Sequence, residues 1–189
     1  MKHFLLLCGS ILLCITNLSA QQTWNCGANG NNVTATLKGD TLTIIGTGDM
    51  ADYTGGTAPW YDSRTSIQSV IIGNNVTSIG QSVFYECSSL TSVNIPNSVT
   101  SIGRRAFYKC SSLTSIDIPD GVKSIGISVF NSCSSLTSVT IGNSLKSTGY
   151  EMFLACRNLT SVTIGNGLTS IEDYTFSGCS NLSSILCKI

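Results

Sequence analysis

The chain has 189 residues, 42% of them hydrophobic and only 11% charged, and ten Lys and Arg balance ten Asp and Glu to a formal net charge of zero. That is one domain's worth of material, and its neutral surface excludes electrostatic capture of nucleic acid or of an anionic membrane, so no nucleic-acid partner is expected.

Residues 1–20 read as a signal peptide. Lys2 and His3 give a short basic start, Phe4 to Ile15 an apolar run, and Leu18-Ser19-Ala20 a small-residue cleavage site, so the mature protein begins near Gln21. The run is shorter than the ~20 apolar residues a bilayer span needs, and no stable membrane span is expected. Cys8 and Cys14 lie inside it behind Leu7 and Leu13, which is not a lipidation context. His3 is the only histidine and leaves with the signal. The commonest general base and the commonest metal ligand leave together, and with them Ser-His-Asp, Cys-His and histidine-zinc sites. No enzyme, no cofactor and no metal are expected.

Residues 21–58 form the next unit. Val33 to Leu37 and Thr41 to Ile45 alternate like strands and are joined by Lys38-Gly39-Asp40, which predicts an N-terminal β-hairpin cap. Lys38-Gly39-Asp40 also resembles an integrin-type adhesive tripeptide, against which stands its ordinary hairpin chemistry. Asp49, Asp52 and Asp62 lack the spacing of a calcium loop, and turn capping is the better reading.

From residue 59 a 23-residue unit takes over: a half repeat over 59–78, then five repeats from 79, the last incomplete. Its columns are Ile79, Ile102, Ile125, Thr148, Ile171; Phe84, Phe107, Phe130, Phe153, Phe176; Cys87, Cys110, Cys133, Cys156, Cys179; and Leu90, Leu113, Leu136, Leu159, Leu182. The half repeat fits through Ile67, Val70, Ile72 and Val76, with Tyr61 in the phenylalanine column. Such periodicity specifies a solenoid, because one unit cannot bury its own apolar face. Leu90-x-x-Val93-x-Ile95 places one short strand per coil, Val93 and Ile95 inward, Ser92 and Asn94 outward. Pro96 and Pro119 end their strands. Gly80, Gly103, Gly126 and Gly149 are expected at positive φ in a tight turn, and Gln81 to Cys87 as a short helical turn on the opposite side.

The run Ser78-Ile79-Gly80 through Phe84, Cys87, Leu90 and Val93 to Ile95-Pro96 resembles the BspA-like leucine-rich repeat family of secreted and surface proteins. So do Gly46-Thr47-Gly48-Asp49-Met50 and Pro59-Trp60-Tyr61. The resemblance covers about residues 60–187. It implies a leucine-rich repeat solenoid: a right-handed β/α superhelix with a parallel sheet on one side and short helical turns on the other. The solenoid itself is assigned to 59–189. The resemblance also implies an adhesive or recognition role.

The cysteine column is the feature most easily overread. Coils about 4.8 Å apart hold equivalent Cβ atoms beyond disulfide reach, and a parallel ladder does not converge on a metal. Buried free thiols are expected, with Cys26 and Cys187 at opposite ends. The phenylalanine column reads as core. Thr148 interrupts the isoleucine column and predicts that the fourth coil, over 143–155, is the softest. Glu86 is expected to pair with Lys109 one coil on, within a basic patch that includes Arg104 and Arg105.

A recognition surface is then expected on the concave sheet face. The serine column does not vary and suits a packing role, so binding is assigned to the varying column beside it, Ile71, Asn94, Asp117, Thr140 and Thr163. The expected function is a secreted or cell-surface, non-catalytic binding or adhesion module for an extracellular protein or glycan, from a bacterial source. The alternatives are a structural, self-associating element stacked through an uncapped C-terminal coil, or a truncated fragment of a larger surface protein. Asn32-Val33-Thr34, Asn75-Val76-Thr77, Asn158-Leu159-Thr160 and Asn181-Leu182-Ser183 are glycosylation acceptors only in a eukaryotic secretory route.

Overall fold

The computed structural model describes residues 21–188, and the signal peptide expected over residues 1–20 lies outside the described residues. Three strands open the chain: β1 (Gln22–Gly27), β2 (Gly30–Lys38) and β3 (Thr41–Gly46), an antiparallel meander. The expected hairpin is β2–β3, closed by Gly39 at φ +64° and Asp40. β1 was not foreseen; its run Gln22-Thr23-Trp24-Asn25-Cys26 alternates weakly.

The meander runs directly into the solenoid. β5 (Ser69–Ile72) pairs parallel with β3 and β7 (Ser92–Asn94) with β5, giving one sheet in the order β1-β2-β3-β5-β7. β9 (Ser115–Ile118), β11 (Ser138–Ile141), β12 (Ser161–Ile164) and β13 (Ser184–Cys187) continue as a second parallel sheet. A narrower ladder stacks β4 (Gly48–Asp49), β6 (Val76–Ile79), β8 (Ser101–Ile102) and β10 (Ser124–Ile125). Strand pairs such as Ser138↔Ser161 and Ile141↔Ile164 are 23 residues apart, so the register repeats the sequence period.

The core follows the columns. Rings of Phe84, Phe107, Phe130, Phe153 and Phe176 stack with centroid spacings of 5.0, 5.3, 5.5 and 5.7 Å. The ring that continues the stack toward the cap is Trp60, 6.2 Å from Phe84, and not Tyr61. The indole fills the larger space under the meander, is 1% exposed, and donates Nε1–H to Val83 O at 3.0 Å. Tyr61 turns outward, its ring 4.1 Å beneath the Arg64 guanidinium.

Two expectations about the turn side change. The segments equivalent to Gln81 to Cys87 form no helix; the sole helical element among the described residues is a 3-10 turn at Tyr61–Ser63. Each segment is a pair of turns, with Tyr85 N–H donating to Ser82 O and Cys87 N–H to Phe84 O. Alternate amides reach the next coil instead: Ser82 to Arg104 O, Phe84 to Ala106 O, Glu86 to Tyr108 O. A helix needs those amides for itself, so the cross-coil bonds exclude it.

The left-handed residues are also displaced. Positive φ falls on Ser82, Arg105, Ser128, Glu151 and Tyr174 and on Glu86, Lys109, Ser132, Ala155 and Gly178, two columns four residues apart. Gly80, Gly103, Gly126 and Gly149 are absent from the positive-φ residues. They are glycine for lack of room: a Cβ on Gly126 would sit 2.5 Å from Arg104 N, and one on Gly149 2.0 Å from Gly126 O.

Candidate functional site

The solvent face of the main sheet carries one outward pair per coil. The serine column runs Ser69↔Ser92 and Ser115↔Ser138↔Ser161↔Ser184. Beside it runs Ile71↔Asn94, then Asp117↔Thr140↔Thr163↔Leu186. Ile71 and Asn94 thus stand in register on the first sheet, and Asp117, Thr140 and Thr163 on the second. Ile71, Asn94 and Asp117 are exposed, Thr140 and Thr163 half-buried. The column extends further than the repeat suggested, because Thr43 on β3 pairs with Ile71. Ile71 near one end of the column and Leu186 at the other are its exposed apolar members, and polar residues stand between them.

The neighbouring threonines are already committed to the scaffold. Thr91, Thr137 and Thr160 each donate a hydroxyl to the carbonyl of the preceding coil, on Gln68, Thr114 and Thr137, at 2.9 to 3.0 Å. Among the described residues the side chains of Asn94, Asp117, Thr140 and Thr163 make no hydrogen bond within the chain. Their donors and acceptors are therefore open to solvent or a ligand.

One interruption crosses this face. At each coil junction the residue after the strand donates to the preceding coil: Gly73 to Ile44 O, Gly142 to Ile118 O, Gly165 to Ile141 O, Lys188 to Ile164 O, each at 2.8 Å. At the two corresponding positions stand Pro96 and Pro119, which have no N–H. β5–β7 pairing is shortened to Ser69–Ile71 against Ser92–Asn94, and β7 and β9 belong to separate sheets. Val93 is half-buried where Val70, Ile116, Val139 and Val162 are buried. The break lies between Asn94 and Asp117, the two most polar members of the column.

The other candidate groups serve the fold. The thiols of Cys110, Cys133, Cys156 and Cys179 donate to the carbonyls of Phe84, Phe107, Phe130 and Phe153 at 3.1 to 3.3 Å. All seven described cysteines are free, with Cys26 buried and Cys187 exposed on β13. Burial pushes the Cys87 and Cys133 thiols from 9.0 up to about 12, and also raises those of Cys110 and Cys156 well above the ordinary thiol value. Thiols held neutral to that degree are poor nucleophiles and poor metal ligands.

Lys38-Gly39-Asp40 is bound into the fold, with Asp40 O accepting from Gln68 N–H at 2.8 Å. Asp49 and Asp52 accept from Thr77 Oγ1 and Gln81 N–H, both at 2.6 Å. Glu86 and Lys109 form the expected ion pair at 3.1 Å.

No curated protein matches the chain. Among solved structures, a leucine-rich repeat protein from Eubacterium ventriosum aligns at 30% identity and a TM-score of 0.78, over 89% of this chain and 44% of that one. A T. pallidum leucine-rich repeat protein aligns at 26% identity and a TM-score of 0.61, over 76% and 84% respectively. A leucine-rich cell surface protein from Faecalibacterium prausnitzii aligns at 26% and 0.60, over 88% and 54%. The chain thus spans less than half the length of the E. ventriosum protein. The model of the BspA type leucine-rich repeat region matches residues 60–183 in six copies, and the chain belongs to that family.

Proposed function

We propose that the chain is a secreted or cell-surface binding module of bacterial origin, non-catalytic, which holds an extracellular protein or glycan against the solvent face of its main sheet. The observation that supports this reading most is the column Ile71, Asn94, Asp117, Thr140 and Thr163. Four residue types fill these five positions, only Thr140 and Thr163 being alike, beside a serine column that does not vary, and their polar groups are not used by the scaffold. A rigid ladder supplies pre-organisation, so binding there loses little conformational entropy. The likeness to a protein described as a cell surface protein supports the location.

Thr140 lies between Asp117 and Thr163 in the ladder, so Thr140→Arg places a long charged side chain across the face. Capture of immobilised extracellular matrix proteins and glycans by the wild-type chain, and its loss in Thr140→Arg, is the expected result. Equal capture by both contradicts the assignment of the face.

A second reading, a structural element that stacks on another coil, rests on the last described coil. Ile171, Ile185 and Leu186 are 47 to 60% exposed there, and β13 leaves one edge unpaired. Such an edge pairs readily with another strand, either from further coils or from a second copy. Light scattering that shows a strict monomer across the micromolar range contradicts self-association.

A further inference from the structure

Where each coil passes from its turns to its strand, the first coils leave a furrow of about 280 Å3 lined by Arg64, Thr65, Glu86, Ser88, Lys109 and Ser111. None of its lining residues belongs to the varying column of the sheet face, and three features define its chemistry. Its charge is two cations against one carboxylate, a local excess of one positive charge on a chain that is neutral overall. Its remaining lining is hydroxyl-bearing, with Ser132 completing the row, and no aliphatic or aromatic residue is among those that line it. Its charged groups are held in place: Glu86 Oε2 accepts from the Tyr61 hydroxyl at 3.2 Å and Oε1 from Lys109 Nζ at 3.1 Å. Arg64 lies over the Tyr61 ring and donates Nη1–H to Tyr61 O at 3.1 Å, which leaves further guanidinium donors for a ligand.

Burial acts to raise the Glu86 carboxyl, but the hydrogen bonds from Lys109 and Tyr61 and the charges of Lys109 and Arg64 outweigh it and hold the group below the ordinary carboxylate range. It is an ionised acceptor at neutral pH, suited to sugar hydroxyls. A guanidinium suits a carboxylate in bidentate geometry.

We infer that this furrow binds a carboxylate-bearing saccharide, with Arg64 and Lys109 on the acid group and Glu86, Ser88 and Ser111 on the hydroxyls. A terminal sialic acid and an internal uronic acid share that chemistry.

Titration calorimetry with sialyllactose, a hyaluronan tetrasaccharide and neutral lactose tests the inference. The expected result is that at least one acidic sugar binds at least tenfold more tightly than lactose and weakens as salt is added. Which of the two binds identifies the source of the acid. Arg64→Ala and Lys109→Ala each lower that affinity tenfold or more with unchanged melting temperature; Lys109 is exposed, so its variant folds. The triple variant Asn94→Ala, Asp117→Ala, Thr140→Ala leaves it unchanged, which separates this site from the sheet face. Failure of both acidic sugars to bind, equal binding of lactose, wild-type affinity in both cation variants, or loss in the triple variant overturns the inference.

Discussion

A methyl group at Gly126 has no space to enter, because its carbon would lie 2.5 Å from the backbone nitrogen of Arg104 in the preceding coil. Backbone cannot yield as a flexible side chain does, so Gly126→Ala is expected to lower unfolding free energy by about 3 kcal/mol, measured by urea titration. A loss below ~1 kcal/mol would show that the coils are not packed so closely. The buried thiols give a second residue-scale test. Their folded-state pKa lies above the unfolded value near 9, so the neutral thiol belongs to the folded state and the thiolate to the unfolded one. Their contribution is complete below pH 9 and is lost as pH rises toward about 12, by about 1.4 kcal/mol per pH unit for each thiol. Stability of the wild-type chain should fall steeply above pH 9, and Cys133→Ala should fall less steeply; parallel profiles would contradict the burial.

At the scale of the element, the sheet divides where a proline removes a cross-coil donor. Pro119 has no amide to offer Ile95 O, and there β7 and β9 fall into separate sheets; Pro96, which has none for Ile72 O, leaves β5 and β7 paired over a shorter length. Thr91, Thr137 and Thr160 each donate a backbone N–H to the preceding coil, while Thr114, at the break, makes no such bond among the described residues. Amide exchange at Thr114 is therefore expected to be the fastest of the four, and Pro119→Ala, which restores a donor for Ile95 O, should slow it at least tenfold. Unchanged exchange in that variant would remove proline as the cause. Thr148 behaves otherwise than an apolar deficit suggests. Its hydroxyl accepts from Glu172 N–H at 2.9 Å and meets Thr175 Oγ1 at 2.8 Å, while Thr175 donates to Glu172 O at 2.6 Å. The closed ring of bonds satisfies the buried group and links the fourth coil to the fifth. Exchange across 143–155 remains the measure of how soft that coil is.

Across the whole molecule, the columns that repeat every 23 residues were legible because in a solenoid burial is decided once per coil and then copied. Phe84, Cys87 and Leu90 needed no knowledge of long-range topology, and their successors as far as Leu159 are buried with them. What was not legible depends on contacts between coils that no single unit contains. Trp60 takes the place expected of Tyr61 because the meander above it leaves room for an indole. The turn segments are not helical because their amides bond to the next coil, and Gly126 is glycine because of Arg104 in the coil before. Thr43 joins the face because β3 pairs with β5, across two unlike sequences. Truncating a stacked ring tests the copied core directly: Phe107→Ala should cost more than ~3 kcal/mol, since a large cavity opens between two rings that cannot close over it.

The central claim is that the varying column of the sheet face recognises a ligand while the repeated columns only hold it there. The measurement that bears on it most directly is paired: the melting temperature of the triple variant Asn94→Ala, Asp117→Ala, Thr140→Ala, and its capture of whichever matrix protein or glycan the wild-type chain retains. An unchanged melting temperature with capture reduced to background is the predicted result, and full capture by the triple variant would contradict it.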